Sequence, residues 1–302
     1  MNIKKYAFGP KTLTIGYNLD GQNFFNIAAK YRTYIEEFYF SLKHTMRNQL
    51  LDEDKVFNTL SKCNTYGIPG NLLLNNKVED NDWERLIQKA ESAIPIHSVS
   101  TISYDTAKKI KEKFPNLRIH ISTEGAYDLQ SEDIDPKILY CVNLEEPMIR
   151  DTHMQNILKR CIDLGIKTKF IVNRGCVIYR HHMLRKLFHD KNISCCNGIC
   201  YKFARKDYAW LNLCRIDYYK EMMPYWRPDF IKITSREIST RDLESIMKEW
   251  ITPSYTKEIC GIDVTKHYDV FLEWIRIRMT ECNGHCYECF KCKDIYDRLI
   301  EQ

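Results

Sequence analysis

The sequence predicts a (β/α)8 TIM-barrel-like parallel barrel with a cysteine-rich C-terminal extension. Three observations carry that expectation. Eight short runs rich in β-branched and aromatic residues recur along the first 235 positions. Stretches of helical period separate most of them, and βα alternation builds a parallel sheet that eight strands can close. No G-x-G-x-x-G follows the first run, where the chain reads "GYNLDG", which argues against a doubly wound dinucleotide fold.

The runs are "TLTIGY" (12–17), "IEEFYFS" (35–41), "NLLLN" (71–75), "SVSTI" (98–102), "RIHIS" (118–122), "ILYCVN" (138–143), "TKFIVN" (168–173) and "FIKITS" (230–235). Between them, "DEDKVFNTLSKCNTYG" and "SYDTAKKIKEKFP" have apolar residues at helical spacing, and Pro115 stops the second. "DTHMQNILKRCIDLG" opens on Asp151 as N-cap and closes on Gly165 as C-cap. There is no internal repeat and no low-complexity linker. The predicted organisation is a barrel over 1–255, carrying a cysteine-rich loop at 174–214, and a helical cysteine-rich extension over 256–302.

With 302 residues and 44% apolar composition the chain can bury a large core. A net charge of +5, with no basic tail, tolerates an RNA or acidic partner without demanding one. The N-terminus lacks the apolar core and cleavage site of a signal peptide, and no stretch has the length of a membrane span. These features predict a cytoplasmic protein with no membrane or DNA partner.

In that compartment thirteen cysteines are unusual. Cys63, Cys141 and Cys161 stand singly in apolar periodic segments and read as small core hydrophobes. Cys176, Cys195, Cys196, Cys200 and Cys214 instead crowd the segment after strand seven, with Gly198 inside a C-x3-C pair. Four thiolates from one such segment suit a tetrahedral zinc or a cubane iron–sulfur cluster, and His181, His182 and His189 lie close enough in sequence for a mixed site. At the other end, "CNGHCYECFKC" gathers Cys282, Cys286, Cys289 and Cys292. Its C-x3-C-x2-C spacing matches radical S-adenosylmethionine enzymes, but a fourth thiol is present and the motif follows the last strand instead of the first. A second iron–sulfur cluster and a zinc knuckle both remain, with Cys260 as a spare ligand.

In a barrel, chemistry belongs at the C-terminal strand ends. Polar residues gather there: Ser122, Thr123 and Glu124 after strand five; Asn143, Glu145, Glu146 and Arg150 after strand six; Asn173, Arg174 and Cys176 after strand seven; and Ser235, Arg236 and Glu237 after strand eight.

"VNRGC", "CNGIC" with Lys202 two residues on, "LNLCRIDYYKEM" and "FIKITSRE" together resemble the peptidase U32 (collagenase-like) family over about residues 10–255. Ser235 stands where that family has glycine, and Arg180-His181 where many relatives have Cys-Pro. The resemblance implies a [4Fe-4S] cluster on Cys176, Cys196, Cys200 and Cys214, the doublet leaving Cys195 as an alternative to Cys196. It also implies that Lys232 and Arg236 line the site. Glu124 and Glu146 are the candidate proton carriers. The activity implied is an iron–sulfur redox one, oxygen-independent hydroxylation or a related modification of an RNA, a peptide or a small aromatic, served by an electron donor or a partner barrel subunit. Two other readings stand beside it: a peptidase-type hydrolase, for which no G-x-S-x-G, H-E-x-x-H or papain-type signature is present, and a non-catalytic, metal-stabilised barrel acting as a complex subunit. Trp210, Tyr218, Tyr219, Tyr225 and Trp226 would serve a stacking surface or an interface.

Overall fold

A computed structural model describes residues 3–4, 8–16, 21–41, 53–74, 82–93, 96–145, 151–171, 227–233, 240–251, 255–256, 258–259, 262–263, 266–282 and 289–301. After a short strand β1 (Ile3–Lys4), eight parallel strands close a barrel in chain order. They are β2 (Leu13–Gly16), β3 (Ile35–Phe40), β4 (Gly70–Leu74), β5 (Ile96–Thr101), β6 (Arg118–Ile121), β7 (Leu139–Glu145), β8 (Lys167–Ile171) and β9 (Phe230–Ile233). Each coincides with one of the eight runs. The sixth barrel strand, β7, runs two residues past its apolar run, so Glu145, expected in the following loop, ends it, and Asn143, which closes the run, lies within the strand.

The helices are α1 (Gly21–Tyr31), α2 (Glu53–Asn64), α3 (Asp82–Ala93), α4 (Tyr104–Lys113), α5 (Thr123–Ala126), α6 (Thr152–Asp163) and α7 (Thr240–Ile251). α6 shows how local sequence fixes them. Asp151 accepts a hydrogen bond from the Met154 amide at 2.9 Å, satisfying an otherwise orphaned donor. Met154, Ile157, Leu158 and Cys161 form the buried stripe at helical spacing. Gly165 ends the helix at φ +69, a conformation glycine adopts without steric cost. Ser103 caps α4 in the same way through the Thr106 amide, and Phe114, preceding Pro115, leaves the helical region.

Strand residues that face the helices are Leu, Ile, Val and Phe: Leu13, Ile15, Phe38, Phe40, Leu72, Leu74, Val99, Ile119, Ile121, Val142, Leu144, Phe170, Ile231 and Ile233 join the main core. A register shift at Glu36 lets Ile35 share that outer face while Glu37 and Tyr39 turn inward. Asp229 ties the last two barrel strands together, accepting from the Thr168 amide at 2.8 Å and from Lys167 Nζ at 2.9 Å.

Beyond α7, β10 (Tyr255–Thr256) pairs antiparallel with β1, and β11 (Glu258–Ile259) with β12 (Ile262–Asp263). Helices α8 (Tyr268–Thr280) and α9 (Lys291–Ile300) pack on each other with their own buried residues, among them Phe271, Trp274, Cys292, Ile295 and Leu299. Arg298–Glu273 at 2.7 Å and Lys291–Glu281 at 2.6 Å bridge them on the outside. No helix among the described residues is long and apolar enough to cross a membrane.

Candidate active site in the barrel interior

The strand registers sort the inward residues into layers. Barrel strands tilt, so a hydrogen-bonded neighbour sits about one residue lower, and the level is recovered two strands on by advancing two residues. From Tyr39 the pairs run through Asn71 to Ser98, so Ser100 is level with Tyr39. From Ser100 they run through His120 to Cys141, giving Asn143. From Asn143 they pass through Lys169 to Phe230, giving Lys232. Lys232 leads through Thr14 to Glu37, and two residues on is Tyr39 again. The circuit closes.

Three layers of four follow. The upper of these three layers is Tyr39, Ser100, Asn143 and Lys232, and the same registers place Gly16, Leu73, Ser122 and Ile171 above it, nearer the C-terminal mouth. The middle layer is Thr14, Asn71, His120 and Lys169. The lower layer is Glu37, Ser98, Cys141 and Phe230. All twelve are buried, and all but Cys141 and Phe230 are polar, in positions that barrels usually fill with Val, Ile and Leu.

Hydrogen bonds order the network. Lys169 is ion-paired to Glu37 Oε1, with both side chains almost inaccessible. Ser98 Oγ donates to Glu37 Oε2 at 2.7 Å. That commits the only hydroxyl proton of Ser98, so its oxygen accepts from Asn71 Nδ2 at 2.6 Å, while Asn71 Oδ1 accepts from Ser100 Oγ at 2.8 Å. Within hydrogen-bonding distance His120 Nδ1 then faces two donors, Asn71 Nδ2 at 3.3 Å and Lys169 Nζ at 3.4 Å, while Glu37 Oε1, already engaged by Lys169, lies farther off at 3.7 Å. An atom facing two donors is an acceptor, so His120 is neutral and carries its proton on Nε2.

Electrostatics agree. Burial disfavours the charged imidazole and the Lys169 ammonium repels it, and together they push His120 down to about 3. Burial works against the charge on Glu37, but Lys169 overrides it and holds the carboxyl at about 2. Cys141 is pushed up to about 12 by burial and stays a thiol. Cys161 is likewise raised to about 12, so both fill core space as expected from the sequence.

In the upper layer the Lys232 ammonium lies 4.4 Å from the centre of the Tyr39 ring, and Tyr39 donates to the Ile233 carbonyl at 3.0 Å. The ring crosses over Gly16, where a Cβ would meet Tyr39 atoms at 2.6 Å. Below, Tyr140 stacks on His120 with ring centres 5.6 Å apart, and Arg118 covers Tyr140 while pairing with Glu36 at 3.3 Å. Among the described residues, three buried polar atoms of the interior have no hydrogen-bond partner: Thr14 Oγ1, His120 Nε2 and Asn143 Oδ1.

Of the residues singled out in the sequence, Lys232 enters the upper layer. Asn143 does too, its amide donating to the Ile121 carbonyl at 2.6 Å. Ser122 and Thr123 are buried where β6 meets α5. Glu124 lies in α5, and its side chain is outside the described residues, as are Glu146, Arg150 and Arg236. Cys176, Cys195, Cys196, Cys200, Cys214 and Cys286 are outside them as well. In the extension, Cys282 receives a contact from Arg278 Nη1 at 3.6 Å, Cys289 is half-buried and Cys292 is buried in α9. Among the described residues no group of three or more His, Cys, Asp or Glu side chains is arranged to hold a metal ion. Sequence reasoning missed Glu37, Asn71, His120 and Lys169. The signal was present: "IEEFYF", "RIHI" and "KTKFI" each place a charged or titratable residue mid-strand in a barrel whose strands are covered on both faces.

No family model matches the sequence, and no curated protein matches it. Solved structures that align with it include UMP synthase of Leishmania donovani, at 10% identity and TM-score 0.38 over 56% of this chain and 44% of that one. A mandelate racemase/muconate lactonizing enzyme from Roseiflexus sp. aligns at 8% identity and TM-score 0.39, over 59% and 52%. The carboxyl transferase domain of Rhizobium etli pyruvate carboxylase aligns at 10% and 0.42, over 96% and 54%. This chain spans about half the length of those it matches.

Proposed function

We propose that this protein is an enzyme whose reaction takes place at the C-terminal mouth of the barrel, above Tyr39, Ser100, Asn143 and Lys232, and that it belongs to the iron–sulfur redox class its cysteine pattern resembles. The observation that carries the enzyme reading is the polar interior. A barrel needed only as a scaffold gains most from apolar layers, whereas burying two lysines, a carboxylate and a histidine costs stability that a function must justify. This weighs against a non-catalytic barrel.

Within that reading Lys232 presents its ammonium to an anionic group of the substrate. Tyr39, held by its bond to the Ile233 carbonyl, flanks that ammonium. Lys169 and Glu37 neutralise one another and keep His120 as a neutral Nε2–H donor. Glu124 or Glu146 carries the proton, and Arg236 adds positive charge. Cys176, Cys196, Cys200 and Cys214 are the four thiolates for a [4Fe-4S] cluster, a donor set suited to it, with Cys195 in reserve. When bound, such a cluster supplies one-electron transfer. The substrate classes are an RNA, a peptide or a small aromatic, hydroxylated or otherwise modified without oxygen. An electron donor or a partner barrel completes the system in the cytoplasm.

The test is iron, sulfide and zinc content with the visible spectrum of protein purified without oxygen, for wild type, Cys200→Ala and Cys289→Ala. Two clusters give about eight irons per chain, half lost in each variant. About four irons lost only in Cys200→Ala, with zinc lost in Cys289→Ala, make the C-terminal thiols a zinc site. A colourless protein without iron overturns the redox reading and returns the hydrolase, whose activity would survive iron removal.

A further inference from the structure

The C-terminal run offers four thiols for one metal centre, and the structure sets one of them apart. Cys282 follows the last turn of α8, Cys289 precedes Phe290, the N-cap of α9, and both are half-buried. Cys286 stands between them in sequence, outside the described residues. Cys282 Sγ accepts a contact from Arg278 Nη1 at 3.6 Å, an N–H···S approach of the kind that supports and orients a thiolate ligand.

Cys292 is placed differently. It is the second residue of α9 and shares one stripe with Ile295 and Leu299, at i, i+3 and i+7. The three are 6%, 1% and 3% exposed. α8 and α9 pack on each other, and the Glu281–Lys291 and Glu273–Arg298 bridges hold the two ends of that packing. Lys291 directly precedes Cys292, so the first turn of α9 is itself pinned. Turning the helix to bring the Cys292 sulfur toward the link would also withdraw Ile295 and Leu299 from their buried face. Cys282, Cys289 and Cys292 are all described, and they do not form a group of three that could hold an ion. Cys292 thus has the setting of a small core hydrophobe, as Cys141 and Cys161 do.

We propose that Cys292 is a core residue of the α8–α9 pair and not a metal ligand, so that a centre on the C-terminal run takes at most three of its thiolates, Cys282, Cys286 and Cys289. Zinc takes four ligands and a cubane takes one per iron, so three thiolates leave a coordination position for a donor other than Cys292. This rests on the reading above that the C-terminal thiols carry metal, and it changes the number of thiolates from four to three.

The experiment measures iron, sulfide and zinc per chain, with the thermal transition, in protein purified without oxygen. The background is Cys200→Ala, which removes metal held by the first cysteine group. Cys282→Ala, Cys289→Ala, Cys292→Ala or Cys292→Val is then added to it. The remaining metal should be lost with Cys282→Ala and with Cys289→Ala. Both Cys292 variants should keep it, at about four irons or one zinc per chain, while Cys292→Ala lowers the melting temperature. Metal lost from Cys292→Ala and Cys292→Val as fully as from Cys289→Ala would make Cys292 the fourth ligand and overturn the proposal. Metal kept in Cys289→Ala, or none in the background protein, overturns it too. In that last case iron present in wild type and absent from Cys200→Ala leaves the redox reading standing, so the two fail separately.

Discussion

Lys169 on β8 and Glu37 on β3 form an ion pair inside the barrel, reaching between layers from strands 132 residues apart in sequence. Neither charge touches solvent to any useful extent, and each is tolerable there only because of the other.

Removing one partner therefore exposes the cost of the other. Lys169→Met leaves a buried carboxylate and should destabilise the protein by about 3–5 kcal/mol in urea unfolding. The double variant Glu37→Gln/Lys169→Met removes both charges and should lose much less than the sum of the single changes. A double-variant loss equal to that sum would mean the pair is not coupled.

Acid should weaken the fold over a definite range. His120 binds its proton only near pH 3 when folded but near its ordinary 6.5 when unfolded, so the unfolded chain holds more protons between those values and stability falls as pH drops from 6.5 to 3. Glu37, held at about 2 against an ordinary 4.5, adds a loss between 4.5 and 2. Together these amount to several kcal/mol. In His120→Gln the part of the slope between 6.5 and 4.5 should flatten, read from urea midpoints at stepped pH.

Among the described residues, Tyr39 is held by its hydrogen bond to the Ile233 carbonyl and by the space over Gly16. Tyr39→Phe keeps the ring beside Lys232 and should cost about 0.5–1.5 kcal/mol, the ordinary worth of the lost bond. Gly16→Ala pushes a methyl into the ring and should cost more, about 1–3 kcal/mol, as overpacking does. Thermal unfolding of both variants checks the order, and the reverse order would mean the ring moves aside freely.

How much of this was legible in the sequence depended on the range of the interaction. The strands, the Asp151 cap and the Gly165 stop follow from local pattern, and Cys141 and Cys161 are core residues as their apolar surroundings suggest. The layers are different. Glu37, His120 and Lys169 become neighbours only through the accumulated register of eight strands, including the shift at Glu36 and another before His120. Local periodicity cannot supply that sum, so the sequence alone did not single them out. Glu145 was expected in a loop for a related reason, since "LE" extends β7 past its run without β-branched residues. Lys232 was singled out by family resemblance and proves to be interior.

The most direct test of the ordered interior is nitrogen-15 NMR of the nine histidine side chains during a titration from neutral pH to pH 5. The account predicts one imidazole, missing in His120→Asn, that stays neutral with its proton on Nε2 throughout. If that resonance titrates near pH 6.5, or carries its proton on Nδ1, the Lys169–Glu37–His120 network is not built as described.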